Sequence, residues 1–251
     1  MIFSFFLLGG LVFGAGFIDA IAGGGGLITL PALLLCGVPT ELVLGTNKFV
    51  GTVGTCFSTA RYCFSKRVVW KVCGVGAAFS LFGSSCAAHT VSQLPASIIA
   101  RIIMILLPLA TAAVLLPKKK TSAALLSSTS WLFFLLVPLI TFTLGAYDGG
   151  FGPGTGTFLV LAFHGLLHLP LLQAAATARV FNLLSNIGAL STFILLGKVD
   201  YKTALPLCLF GIAGHWCGAH TALKKGDHFV RQMLLISTAL LFVALLFKYL
   251  W

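Results

Sequence analysis

Two aspartates, Asp19 and Asp148, stand inside otherwise apolar stretches, and each runs into glycines. Asp19 is followed by Gly23, Gly24, Gly25 and Gly26, and Asp148 by Gly152, Pro153, Gly154 and Thr155. Each glycine costs about 1 kcal/mol relative to Ala in a helix interior, and proline removes a backbone donor and clashes with the preceding turn. The spacing therefore predicts two broken helices, with an acid just before each break. A charge at the centre of a bilayer costs about 2.5–3.5 kcal/mol on insertion scales. Three uses fit a carboxylate retained there: a proton or cation relay, a partner for a basic group, or a cap for the N–H groups that the break releases.

Two bases form the second pair. Lys48 closes Thr46-Asn47-Lys48 and Arg179 closes Thr177-Ala178-Arg179, each near the start of a long apolar stretch. A basic group beside glycine-exposed N–H groups and a helix N-terminus makes a cradle for an anion. Alternatively, both side chains snorkel to the headgroups. If consecutive segments pack together, each base lies near the broken helix of its own half. Asn182 and Asn186 are four apart and share a helix face, where they line a polar path or glue helices together. Cys86-x-x-His89 and Cys217-x-x-His220 offer two Cys and two His, an alternative metal set, although Cys-x-x-Cys is missing. Packing by small residues is the simpler reading of those segments. His164, His168 and His215 read as interfacial or packed. The sequence contains no Ser/His/Asp order, Walker loop or Gly-x-Ser-x-Gly elbow, so no catalytic residue is named and a non-enzyme with no cofactor is expected.

These residues need elements to hold them, and composition says which. The chain of 251 residues is 59% hydrophobic and 8% charged, with mean hydropathy +1.06. Soluble domains carry about 25% charged residues. Apolar runs near 2–22, 27–38, 42–60, 68–88, 97–116, 131–149, 154–168, 171–196, 200–223 and 229–250 predict an all-α polytopic membrane protein. About eight full spans plus short half-helices are expected. Residues 2–38 would make a helix of roughly 55 Å, too long for one span of about 30 Å and short for two. A full helix followed by a half-helix or re-entrant leg fits better. Non-helical backbone at that depth must face protein or a wet cavity.

The net charge of +11 suits short basic loops that set orientation rather than a nucleic-acid surface. Arg61, Lys66, Arg67, Lys71 and the run Lys118-Lys119-Lys120 fall on one side, expected to be cytoplasmic. Seven scattered cysteines form no disulfide framework and read mostly as small buried hydrophobes. The N-terminal stretch lacks a basic n-region and reads as a retained helix.

The chain also repeats itself. Besides the two Asp-glycine elbows, Arg67-Val68-Val69-Trp70-Lys71 pairs with Lys198-Val199-Asp200-Tyr201-Lys202, and the two Cys-x-x-His segments pair at the same spacing. One transmembrane transporter domain, 1–251, is expected: repeat one 1–116, seam 117–130, repeat two 131–251. Loop charges lean toward an inverted repeat. Broken helices at corresponding positions of two halves point to a transporter's binding site.

The stretches 16–31, 45–48 and 145–156, with Asn182 to Asn186 and Gly197 to Asp200, resemble the sulfite exporter TauE/SafE family of membrane permeases. The resemblance runs in order along nearly the whole chain. It implies a secondary transporter of the bacterial inner membrane. Its partners would be a small anion (sulfite, a sulfonate, or a related organosulfur or carboxylate compound), the lipid bilayer and a coupling proton or cation. On this reading the anion meets Gly23–Gly26, Thr46, Asn47, Lys48, Gly152–Thr155, Arg179, Asn182 and Asn186, while Asp19 and Asp148 couple the ion or hold the bases. The alternatives are an uncoupled anion channel and a metal-handling protein using Cys86, His89, Cys217 and His220.

Overall fold

The computed structural model describes the backbone of residues 2–95, 98 and 131–237, with side chains from residue 6 onward. The lysine seam, nearly all of the apolar stretch 97–116 and the end of the stretch 229–250 lie outside the described residues. Within them the chain is helical, with no strand. The first half gives α1 (Ile2–Ala22), α2 (Gly26–Leu35), α3 (Thr40–Phe64) and α4 (Trp70–Ser92). The second gives α5 (Trp131–Gly150), α6 (Thr155–Leu166), α7 (Leu171–Leu195) and α8 (Tyr201–Lys225). A further helical stretch runs over 227–237.

Both breaks fall where the glycines stand. Between α1 and α2, Gly23 and Gly24 take φ of +81° and +105°, the left-handed region that glycine enters without a Cβ penalty. Between α5 and α6 the left-handed residues are Gly152 (+97°) and Gly154 (+81°). They flank Pro153, whose ring holds φ near −65°, so the positive angles move to either side of it. At about 1.5 Å per residue, α1 is about 31 Å long and α2 about 15 Å, a full helix followed by a half-helix. The long helices α3 and α7 both start just after a proline, Pro39 and Pro170. The start of α8 is capped by Asp200, whose carboxylate accepts from Lys202 N at 3.1 Å and Thr203 N at 3.5 Å.

Three of the described helices, α4, α5 and α7, are both long and apolar enough to cross a membrane. Two more, α3 and α8, have 25 residues each but carry more polar positions. In α3 these polar side chains turn inward: Thr46, Lys48, Thr52, Thr55, Ser58 and Thr59 are all buried. Hydropathy along the sequence does not distinguish an inward polar face from a wet one, which is why the expected full spans are only partly matched by helices apolar along their length. Outward, the surface is greasy: Leu35, Phe64, Leu195 and Leu209 are exposed, as suits contact with lipid. The same exterior corrects the expectation for the cysteines. Only Cys73 and Cys208 are buried, and Cys36, Cys56, Cys86 and Cys217 lie exposed. A surface facing hydrocarbon tolerates a small apolar thiol as well as a core does.

The two halves interlock. The broadest contact of α1 is with α8, and the broadest contact of α5 is with α4, while α3 meets α7 at the centre. Small residues permit this closeness. A Cβ at Gly214 of α8 would collide with Phe13 O of α1, and one at Gly83 of α4 would collide with Phe142 O of α5. The segments that hold the Cys-x-x-His residues contribute Gly83, Ala88, Gly214 and Gly218 to these faces, while Cys86, His89, Cys217 and His220 themselves are exposed.

Candidate functional site: a polar cavity where the broken helices meet

The elbows touch each other. A Cβ at Gly156 would stand 2.7 Å from Gly23 Cα, and the Thr157 hydroxyl donates to Ala22 O at 2.9 Å. Beside this junction lies a cavity of about 50 Å³. Since roughly 10–15 Å³ of such space holds one water, it suits a few waters or one compact anion. It is lined by Asp19, Gly25 and Gly26 from the first elbow, Asp148 and Gly152 from the second, Asn47, Lys48, Gly51 and Thr55 from α3, Asn182 and Asn186 from α7, and His215 from α8. Gly26 is the first residue of α2. The next amides, Leu27 N and Ile28 N, donate to Gly24 O and Gly25 O at 3.0 Å, and the positive end of the helix dipole lies at the cavity there.

Two ion pairs organise these side chains, and both cross between the halves. Arg179 Nη1 lies 2.8 Å from Asp19 Oδ2, and Lys48 Nζ lies 2.8 Å from Asp148 Oδ2. Each base also lies by the broken helix of its own half, as expected: the Arg179 guanidinium abuts Gly156, and Lys48 lines the cavity with Gly25 and Gly26. What order along the chain did not give is that each pairs with the acid of the other half. The interlocking makes this possible: the two elbows touch, so each acid comes within reach of the long helix of the opposite half. Burial makes the pairing obligatory, because an uncompensated charge in a low-dielectric interior costs several kcal/mol. Lys48 and Asp148 are nearly fully buried, and Arg179 has no exposure at all.

Each acid has further partners. Asp19 Oδ1 accepts from Gly25 N at 3.0 Å, closing the first elbow on itself. Asp19 Oδ2 also faces His215 Nε2 at 3.3 Å. Asp148 Oδ2 accepts from the Ser185 hydroxyl at 2.6 Å. Lys48 donates to Asn186 Oδ1 at 2.8 Å, and Asn186 in turn reaches Asn182 Oδ1 at 3.4 Å. The Thr29 hydroxyl donates to Asn47 Oδ1 and ties α2 to α3. Thr55 Oγ1 lines the cavity with no hydrogen-bond partner among the described residues, and Arg179 Nε and Nη2 are likewise without one.

Of the residues expected at the site, Asp19, Gly25, Gly26, Asn47, Lys48, Asp148, Gly152, Asn182 and Asn186 line the cavity. The others sit behind it. Gly23 forms the contact between elbows, with Gly24 beside it against Leu27 and Ser237. Pro153 packs near Gly26, and its carbonyl accepts from Tyr147 at 2.7 Å. Gly154 caps α6, and the Thr155 hydroxyl donates to Gly152 O at 2.8 Å. Arg179 presses against Gly156 from behind Asp19. Thr46 is a tether: its hydroxyl accepts from Asp200 N at 3.0 Å, just as Thr177 accepts from Val69 N at 3.1 Å.

The Cys/His set is not assembled. His220 pairs with Arg61 at 2.8 Å and His89 with Gln93 at 2.8 Å, and no cluster of three or more His, Cys, Asp or Glu able to hold a metal occurs among the described residues.

Sequence reasoning passed over Gly51 and Thr55, and read His215 as interfacial or packed. The clue for His215 lies in the repeated spacing of the sequence. At the spacing that aligns Lys48 with Arg179, His215 aligns with Ser84, and Gly54 with Ser185. The His215 ring fills the space above Gly54 and Gly16, where a Cβ would meet it. Around the other acid, Ser185 and Ser84 divide the same volume, with the Ser84 hydroxyl bonded to Ser185 O.

Comparison with known proteins fits this architecture. Residues 8–245 match the family described as sulfite exporter TauE/SafE. A probable membrane transporter protein, ORF9, from Sinorhizobium is 36% identical over 234 residues, covering 92% of this chain and 88% of that protein. A probable membrane transporter protein of Haemophilus influenzae is 34% identical, covering 95% and 93%. Probable membrane transporter protein YfcA of Escherichia coli K12 is 35% identical, covering 93% and 86%. No solved structure matches the chain. With a family match along nearly its whole length, the chain belongs to the sulfite exporter TauE/SafE family of integral membrane transporters, which are not enzymes.

Proposed function

We propose that the protein is a secondary transporter of a small anion, such as sulfite, a sulfonate or a related organosulfur or carboxylate compound, in the bacterial inner membrane. A coupling ion drives it. The anion binds in the cavity beside the touching elbows, held by the Lys48 ammonium, the side-chain amides of Asn47, Asn182 and Asn186, and the N-terminus of α2. The two halves are repeats of inverted polarity, and rocking of one against the other opens the site to alternate sides.

The observation that carries this reading is the cavity itself: a buried lysine and three asparagines converge with a helix N-terminus where two broken helices meet. Lys48 has three donor hydrogens. Asp148 and Asn186 accept two, leaving one for an anion. Asp148 thus serves to hold the base as much as to neutralise it.

The test is flux of a panel of sulfur oxyanions, sulfonates and carboxylates in proteoliposomes holding this chain alone, with and without a pH gradient. A coupled carrier accumulates its anion against a concentration gradient when the pH gradient is present. An uncoupled channel only equilibrates it. No flux above that of protein-free vesicles for any anion would overturn the reading.

A further inference from the structure

The carboxylates are poorly placed to carry a coupling proton. Asp19 is bound by Arg179 and Gly25 N, and Asp148 by Lys48 and Ser185. Protonating either would strand a buried base, which is strongly unfavourable. Among the described residues lining the cavity, one further side chain is titratable: His215.

The geometry around its ring is specific. His215 Nδ1 lies 2.9 Å from Gly211 O, a backbone acceptor, and Nε2 lies 3.3 Å from Asp19 Oδ2, a carboxylate acceptor. A neutral imidazole has one N–H and can donate to only one of them. The imidazolium donates to both. The arrangement is thus complete only with a proton on each nitrogen, and loss of one breaks the link between α8 and the first elbow or turns a lone pair toward an oxygen. Gly16 on α1 and Gly54 on α3 hold the ring from either side.

Charge counting links this proton to the anion. The charged groups around the cavity are Asp19 on α1, Lys48 on α3, Asp148 on α5 and Arg179 on α7, which sum to zero. A proton on His215 makes the sum +1, and a monoanion beside Lys48 restores neutrality. We infer that His215 is the proton-carrying group of the transport cycle, and that its proton and the anion occupy the cavity together. This deepens the anion-transport reading and rests on it. The division of labour follows the asymmetry of the halves: the acid on the first elbow has a titratable partner, and the acid on the second has a serine.

The test measures binding of isethionate and of sulfate to the purified full chain between about pH 5 and 8, the window in which histidine changes charge. Neither probe titrates there, so any pH dependence belongs to the protein. In the wild type, affinity should fall with rising pH, by up to about tenfold per unit for linkage to one proton. His215→Gln should bind with a flat profile. Because Gln could disturb packing, the double variant Gly54→Ser with His215→Ser rebuilds the Ser185–Ser84 arrangement around Asp19, and it too should be flat. A wild type without pH dependence, or a double variant that retains it, overturns the inference while leaving anion transport standing. Failure of wild type to bind either probe at any pH overturns the inference, and only a flux panel without transport of any anion would remove the anion reading with it.

Discussion

Lys48 on α3 and Asp148 on α5 lie 2.8 Å apart with both side chains nearly fully buried, and they come from opposite halves of the chain. Arg179 and Asp19 repeat the relationship in reverse. The site therefore belongs to neither half alone. Any motion of one half against the other has to stretch or exchange these pairs, which makes them the natural link between ligand binding and movement.

Breaking the first pair should be costly and unequal. Lys48→Met leaves Asp148 ionised and buried, and should lower stability by about 3–5 kcal/mol. Combining it with Asp148→Asn removes the stranded charge and should recover most of that loss. Transport should stay absent in both, because the cavity has lost its ammonium. Thermal unfolding in detergent alongside proteoliposome flux separates the two effects.

Gly51 offers a way to block the cavity without touching its chemistry. It lies inside α3, lines the cavity, and a Cβ there meets nothing within 4 Å. Gly51→Ala should keep or slightly raise stability, by up to about 1 kcal/mol, as alanine replaces glycine in a helix interior. Gly51→Leu should fold equally well yet lose flux, because its side chain fills the space. Loss of flux only when the protein also unfolds would contradict this.

Gly156 should tolerate nothing larger. A Cβ there meets Gly23 Cα and the Arg179 guanidinium at once. Gly156→Ala should cost on the order of 3 kcal/mol, the upper end for overpacking, and reduce folded yield on size-exclusion chromatography. Gly23→Ala adds backbone strain at φ +81° and should behave no better.

The elbows, the acids and bases, and the asparagines of α7 were legible in the residues, whereas most of the polar face of α3 was not, because 42–60 reads as an apolar run. Glycine runs and a proline announce a break whatever surrounds them, and Asp19, Asp148, Lys48 and Arg179 are conspicuous in apolar sequence. Who pairs with whom was not legible. Order along the chain suggests that neighbours in sequence pack together, and Arg179 does abut Gly156, but it gives no sign that the elbows touch and that each acid reaches the other half's base. His215 was hidden for a related reason: a histidine alone in an apolar segment carries no mark of its partner, and Asp19 reaches it only through the fold.

Thr46 and Thr177 provide a control for structure against function. Each hydroxyl accepts the N–H of the residue that precedes a helix, Asp200 before α8 and Val69 before α4. Thr46→Ala and Thr177→Ala should each cost about 1–3 kcal/mol for the stranded donor. Neither should alter which anions are preferred in a flux panel, and a changed preference for Thr46→Ala would return that residue to the binding site.

The most direct measurement is an experimental structure of the chain with its transported anion, identified from the flux panel and present at saturating concentration. The account predicts one bound anion in the cavity beside the elbows, with an oxygen within hydrogen-bond distance of Lys48 Nζ and a second contact from Asn47, Asn182, Asn186 or Gly26 N. An anion bound elsewhere, with the cavity occupied by water alone, would contradict it.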